Sequence, residues 1–112
     1  MERPIQVAFF RLGSGREPVR EWLQGLGRSH SKTIGGDIKT LQFQWPVGMP
    51  LVRKLDDNLW ELRSQLSSGI ARIFFTVYDR RIVLLHGFVK KSSKTPVAEL
   101  ATARRRLNTL RS

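Results

Sequence analysis

The stretch LWELRSQLSSGIARIFFTVYDRRIVLLHGFVK, residues 59–90, decides the fold of this chain. It holds three runs rich in β-branched, aromatic and aliphatic residues, Leu59 to Leu66, Ile70 to Tyr78 and Arg81 to Val89, which predict three strands. Ser67-Ser68-Gly69 and Asp79-Arg80 separate them. Gaps this short leave no room for a crossover, so neighbouring strands must run antiparallel. Closing the first hairpin on Ser67-Ser68 pairs Leu66 with Gly69 and sets Trp60 opposite Phe75, Leu62 opposite Ile73 and Arg63 opposite Arg72. That register sorts the faces: Trp60, Leu62, Ile73 and Phe75 inward, Glu61, Arg63 and Arg72 outward.

On the N-terminal side, Ile5 to Phe10 reads as a further strand, and Leu12-Gly13-Ser14-Gly15 as a turn. Ser14 and Glu17 have the spacing of a capping box, and Val19, Trp22, Leu23 and Leu26 form the apolar stripe of a helix stopped at Gly27. A second helix is expected from about Ser31 to Trp45, with Ile34, Ile38, Leu41 and Trp45 on one face and Pro46 ending it. Gly35-Gly36 weakens its first turn by roughly 1 kcal/mol per glycine. Residues 46–50 read as a loop leading into Leu51 to Leu55. On the C-terminal side, Thr95 is the expected N-cap and Pro96 the first position of a last helix running to about Leu110, with Val97, Leu100, Ala103, Leu107 and Leu110 inward. The expected order is β-α-α-β-β-β-α, an α+β fold. Its antiparallel-rich sheet carries two N-terminal helices on one face and leaves the other partly open.

A chain of 112 residues without a repeat or a long linker is read as one domain, 1–112. Twenty Lys and Arg stand against nine Asp and Glu, a net charge of +11, and such a field favours polyanions. There is no cysteine, which removes disulfides and thiolate catalysis; two histidines, His30 and His86, do not suggest a metal site, and no cofactor is expected. No apolar run approaches roughly 20 residues, so no membrane span is expected. The amphipathic pattern begins at once, without the apolar core of a leader, and a cytoplasmic location is the expectation.

Arg63 and Arg72 face each other, and directly opposed like charges cost a few tenths to about 1 kcal/mol. Either a bound anion or Glu61 nearby would offset this, so the pair reads as a phosphate clamp or as a solvated ion ladder. His86 depends on the second turn. A two-residue turn sends it to the inward face beside Ile73; a three-residue turn puts His86, Phe88 and Lys90 on the face of Arg63 and Arg72. Lys90, Lys91 and Lys94 precede a helix N-terminus, a position suited to RNA phosphates or simply to solvent. Arg104-Arg105-Arg106 points around a helix and reads as a solvated or docking surface. Cleaving RNA through the neighbouring 2′-OH requires alignment, stabilisation of the phosphorane charge and two proton transfers. Arginine suits the charge and not the protons, since its pKa exceeds about 12. His86, Lys90, Lys91, Glu61 and Tyr78 are the groups that could move protons, and no pair of histidines is available for a self-sufficient ribonuclease.

Several segments together resemble the HigB branch of the RelE/ParE toxin superfamily: Leu59-Trp60-Glu61-Leu62-Arg63, Ala71-Arg72-Ile73-Phe74-Phe75, Leu84-Leu85-His86-Gly87-Phe88-Val89-Lys90-Lys91, Lys94-Thr95-Pro96, and Glu99 with Ala103-Arg104. Pro18-Val19-Arg20-Glu21-Trp22-Leu23 is similar to the first helix of that branch. The resemblance implies a RelE-like fold and a phage-derived type II toxin held inactive by a cognate antitoxin, commonly a helix-turn-helix protein. It implies a ribosome-dependent endoribonuclease that cuts mRNA in the ribosomal A site and inhibits translation. It places catalytic roles on Arg63, Arg72, Lys90 and Lys91, with His86 as a further candidate, and RNA contacts on Arg53, Lys54 and Lys94. Enzymes of this kind are known for lacking the usual acid–base pair. Two other functions stay open: a ParE-like DNA gyrase inhibitor on the same fold, and a non-catalytic RNA- or ribosome-binding module.

Overall fold

A computed structural model describes residues 3–90 and 96–112. The described residues form β1 (Gln6–Phe9), α1 (Pro18–Gly25), α2 (Arg28–Gln44), β2 (Val52–Asp56), β3 (Leu59–Leu66), β4 (Gly69–Tyr78), β5 (Arg81–Lys90) and α3 (Val97–Arg111). The five strands make one sheet in the order β1-β5-β4-β3-β2. β1 runs parallel to β5, and the other pairs are antiparallel. The α+β class stands, with one strand more than expected. Leu51–Leu55, to which the expected loop leads and which carried no element in the expected order, holds most of β2, an edge strand whose Arg53 lies opposite Glu61 and whose Lys54 lies opposite Trp60.

The β3–β4 register is the expected one, with Leu66 opposite Gly69, Arg63 opposite Arg72, Leu62 opposite Ile73 and Trp60 opposite Phe75. On the first face, Leu62, Ile73, Phe75, Ile82 and Leu84 bury against Val19 of α1 and Ile34, Ile38 and Leu41 of α2. Trp45, just past α2, meets Trp60 and Phe75 edge-on, with ring centroids 5.1 and 5.6 Å away. Burial of this stripe holds α2 together through Gly35-Gly36. The helix starts at Arg28, ahead of the expected Ser31, because packing outweighs a propensity cost of about 1 kcal/mol per glycine.

The second face is covered by α3 at one end and stays partly open at the other, where Arg53 and Arg63 are part-exposed. Leu59, Phe74, Val83, Leu85 and Phe88 pack with Ala103 and Leu107 of α3 and with Phe10 as a second core, and Glu61 and Arg72 are buried on the same face. Val97 lies at 84% exposure, so the inward stripe of α3 starts later, with Leu100 half-covered and Ala103 and Leu107 buried. Pro96, rather than Thr95, is the residue flanking the first turn of α3, and Thr95 falls outside the described residues. The Ser14–Glu17 capping box does not form: Ser14 accepts a bond from the Arg16 amide at 3.4 Å, Glu17 is itself the N-cap residue, and its carboxylate goes to Arg20 at 2.7 Å.

The β4–β5 hairpin closes on two residues, with Tyr78 opposite Arg81. Asp79 and Arg80 both take positive φ, 51° and 63°, the backbone that matches the twist of a tight hairpin. The register then shifts between Phe75 and Phe74, which pair with Leu84 and His86. Leu85 is the extra residue of a β-bulge, and everything beyond it turns over by one position. His86 and Phe88 therefore share the face of Arg63 and Arg72, although the turn is the two-residue one that alone would have sent them inward.

Candidate functional site

The registers arrange the second face in rows. One row runs Arg53, Glu61, Phe74, His86 across β2, β3, β4 and β5. The next runs Arg63, Arg72, Phe88, and the one beyond it Gln65, Ile70, Lys90. Rows are about 7 Å apart at a strand rise of roughly 3.3 Å per residue. α3 covers the end of this face near Leu59 and Leu85, and the arginines lie toward the other end.

At the centre is Glu61, fully buried at 0% exposure. Arg72, buried at 1%, donates from Nη1 to both carboxylate oxygens, at 3.2 and 3.4 Å. Arg53 and Arg63 approach the same carboxylate with Nε 3.7 and 3.8 Å from Oε1. A buried carboxylate needs a counter-charge, and here several compete for one. Arg63 and Arg72 alone outnumber it, and both distances to Arg72 exceed the 2.7–2.9 Å of a strong charge-assisted bond. The Nε groups of Arg63 and Arg72 are buried with no hydrogen-bond acceptor among the described residues. Unsatisfied donors of this kind cost about 1–3 kcal/mol each. Arg63 remains 23% exposed and lines a cavity of about 400 Å³ with Thr33, Asp37, Pro50, Leu51 and Gln65, so the cluster has a way out to solvent. Chemically this is a preorganised anion seat in which a protein carboxylate satisfies only part of the donor set.

His86 sits in the row of Glu61, one row from Arg63 and Arg72. Its Nε2 is 3.1 Å from Glu99 Oε1, and Nη1 of Arg106 is 3.4 Å from its Nδ1. Arg106 cannot accept, so Nδ1 is the acceptor and the proton rests on Nε2, donated to Glu99. The same Nη1 donates to the Leu85 carbonyl at the bulge, at 2.8 Å. The His86 ring stacks on Phe88 with centroids 5.9 Å apart, and Phe88 separates it from Arg72. Burial, and then the neighbouring Arg105, hold the Arg106 pKa below its ordinary value.

Arg53, Arg63, Arg72 and Glu61 are thus brought together, with His86 in the same row as Glu61. Lys90 closes β5 on the same face, part-buried and opposite Ile70. Lys54 is not in this group: it alternates to the other face, with Nζ 6.0 Å from the Trp60 ring centroid and 4.0 Å from Asp57. Lys91 and Lys94 lie outside the described residues. The Arg104–Arg106 run divides: Arg104 reaches Asp56 at 2.7 Å, Arg105 is exposed, and Arg106 joins His86. Sequence reading missed Glu99 and Arg106 as partners of His86. Their spacing with Ala103, i, i+4, i+7, marks one helix face and could have shown that Arg106 points with the buried residues.

Among the described residues, no group of His, Cys, Asp or Glu could hold a metal ion, and no helix is long and apolar enough to cross a membrane. No curated protein matches the chain. A family model described as phage derived protein Gp49-like (DUF891) matches residues 21–108, which takes in the end of α1, all of α2, the whole β-meander and most of α3. With its arginine-lined second face inside the matched span, the chain belongs to the phage-derived Gp49-like family (DUF891).

Proposed function

We propose that this chain is the toxin of a type II toxin–antitoxin system and acts as a ribosome-dependent endoribonuclease on mRNA. Membership of the Gp49-like family supports a toxin-like protein. The observation that carries the enzymatic reading is the buried arginine cluster, where the Nε groups of Arg63 and Arg72 lack acceptors beside a carboxylate they outnumber. Such donors suit the extra negative charge that develops on a phosphorane. In this reading Arg63 and Arg72 stabilise that charge, Arg53 and Lys90 extend the contact along the RNA backbone, Lys91 and Lys94 follow on the adjoining segment, and Lys54 meets ribosome or RNA from the opposite face. The ribosomal A site supplies the alignment of the 2′-OH. Its partners are ribosome, mRNA and a cognate antitoxin of helix-turn-helix type, and it works in the cytoplasm without a cofactor.

A second reading, a non-catalytic RNA- or ribosome-binding module, is favoured by His86, whose two ring nitrogens are both engaged. Induced expression of wild type, Arg63→Ala and Arg72→Ala, with primer extension on cellular mRNA, separates the two. Codon-phased cuts that disappear in either variant support the enzyme. Growth arrest without cuts sinks it, and a supercoiling assay with purified gyrase then tests the ParE-like activity.

A further inference from the structure

A second opening lies at the outer edge of β5, across the sheet from the cavity that Arg63 lines. β1 covers β5 only from Arg81 to Leu84, so past the bulge the outer edge of β5 meets α1 instead. A cavity of about 210 Å³ remains there, lined by Pro18, Val19, Trp22, His86, Gly87 and Arg106. Gly87 permits the wall to form: a Cβ at that position would stand 2.5 Å from the Trp22 ring, closer than any side chain tolerates.

Arg106 is the charged group of this cavity. Its contacts are the Leu85 carbonyl, the weak acceptor His86 Nδ1 and the face of Phe10, with Cζ 5.8 Å from the ring centroid. All its hydrogen bonds run through Nη1, and no carboxylate lies within ion-pair distance of it among the described residues. Its Nε and Nη2 donors have no protein partner among the described residues, on a guanidinium half-buried against Leu85, His86 and Phe10. Glu99, the nearest acid on α3, is turned to Nε2 on the other side of the His86 ring. A half-buried cation with spare forked donors facing a cavity is a site for an oxyanion.

We propose that Arg106, backed by His86 and Glu99, forms a second phosphate-binding site that holds the RNA backbone next to the arginine cluster. The inference rests on the RNA-cleaving reading and deepens it, adding a phosphate contact beside His86, one row along and two strands across the sheet from Arg63, about 12 Å at a strand spacing of roughly 4.8 Å. Two contacts at that spacing would fix the strand's direction across the sheet as well as its position. Glu99 acts through His86 and His86 through Arg106. Both are positioning residues, and Arg106 is the group that touches RNA.

The test uses the full chain, isotopically labelled, titrated with a 2′-O-methyl RNA hexanucleotide, which is long enough to reach both sites and binds without being cut. In wild type, the Trp22 indole N–H, the Gly87 amide and the Arg106 Nε–H shift together with the Arg63 Nε–H. In Arg106→Gln, the Trp22 and Gly87 shifts vanish while Arg63 still responds. Affinity falls about tenfold, and the slope of log K against log salt drops by about 0.7, as for one lost single-strand phosphate contact. Arg106→Lys, which keeps the charge, restores part of both. If RNA shifts Arg63 while Trp22, Gly87 and Arg106 stay still in wild type, the second site is wrong and the first survives. If RNA moves neither group, both readings fall. The wild-type titration decides the matter even where Arg106→Gln does not fold.

Discussion

Arg72 presents a single guanidinium nitrogen to both oxygens of Glu61, at 3.2 and 3.4 Å, with both side chains sealed from solvent on adjacent strands. The pair is directly bonded and still incomplete, because Arg72 Nε and Arg63 Nε find no acceptor among the described residues. Glu61 thus satisfies only part of the donor set that Arg63 and Arg72 present to it.

Glu61→Gln should therefore do two things at once. Leaving Arg72 buried without its counter-charge is expected to cost about 3–5 kcal/mol of stability. Inorganic phosphate should return part of that loss, and raise the urea midpoint of the variant more than that of wild type, because only the variant has a vacant seat. Equal phosphate effects on both proteins would show that Glu61 does not occupy an anion site.

Arg72→Lys keeps the charge and loses the planar fork. A lysine cannot address the carboxylate and a phosphate oxygen from fixed positions. Primer extension on cellular mRNA should show cutting reduced by roughly 100- to 1,000-fold. The thermal midpoint should move less than in Arg72→Ala. Full activity in Arg72→Lys would reduce the role of Arg72 to bulk charge.

Gly87→Ala places a methyl group against the Trp22 ring, where a Cβ would lie 2.5 Å from two ring carbons. Neither β5 nor α1 can give way freely, since Val19 and Leu84 bury between them. Overpacking of this kind costs about 1–3 kcal/mol. Denaturant unfolding followed by tryptophan fluorescence checks it, and the double variant Gly87→Ala with Trp22→Leu should recover part of the loss. A neutral Gly87→Ala would mean that α1 slides.

The Arg104–Asp56 bond ties the exposed side of α3 to the end of β2 at 2.7 Å. Arg104, and then the Asp57 amide, hold the Asp56 carboxyl below its ordinary range. A carboxylate with a depressed folded pKa adds stability above its unfolded value, about 3.9, and loses it as pH falls through the folded one. Asp56→Asn should therefore be less stable than wild type at neutral pH, and the two curves should converge as pH drops below about 4. A constant gap down to strong acid would refute the assignment.

Much of the fold was legible because its signals are local. Two-residue turns pin a hairpin register, and the β3–β4 pairing followed from counting residues around Ser67-Ser68. The stripes of α1 and α2 were legible because each buries a single face. β2 was missed as a strand since its residues alternate weakly and it pairs through one edge only. The facing pair Arg63 and Arg72 could be read from the chain; the burial of Glu61 and Arg72 could not, because it depends on how segments distant in sequence pack over the sheet.

His86 marks the boundary between the two kinds of information. Its strand and its distance from the turn are properties of the sequence, which also supplied the basic charge, the arginine pair and the helix faces. Its side of the sheet was decided by the bulge at Leu85, a register shift that lies away from any turn residue. Its partners were decided by the docking of α3, which brings Glu99 and Arg106 to its two nitrogens. Local periodicity dictates which residues can share a face. Only packing between distant segments decides what covers that face, and so whether a charge there is solvated or left, like Arg72 and Arg106, with donors to spare.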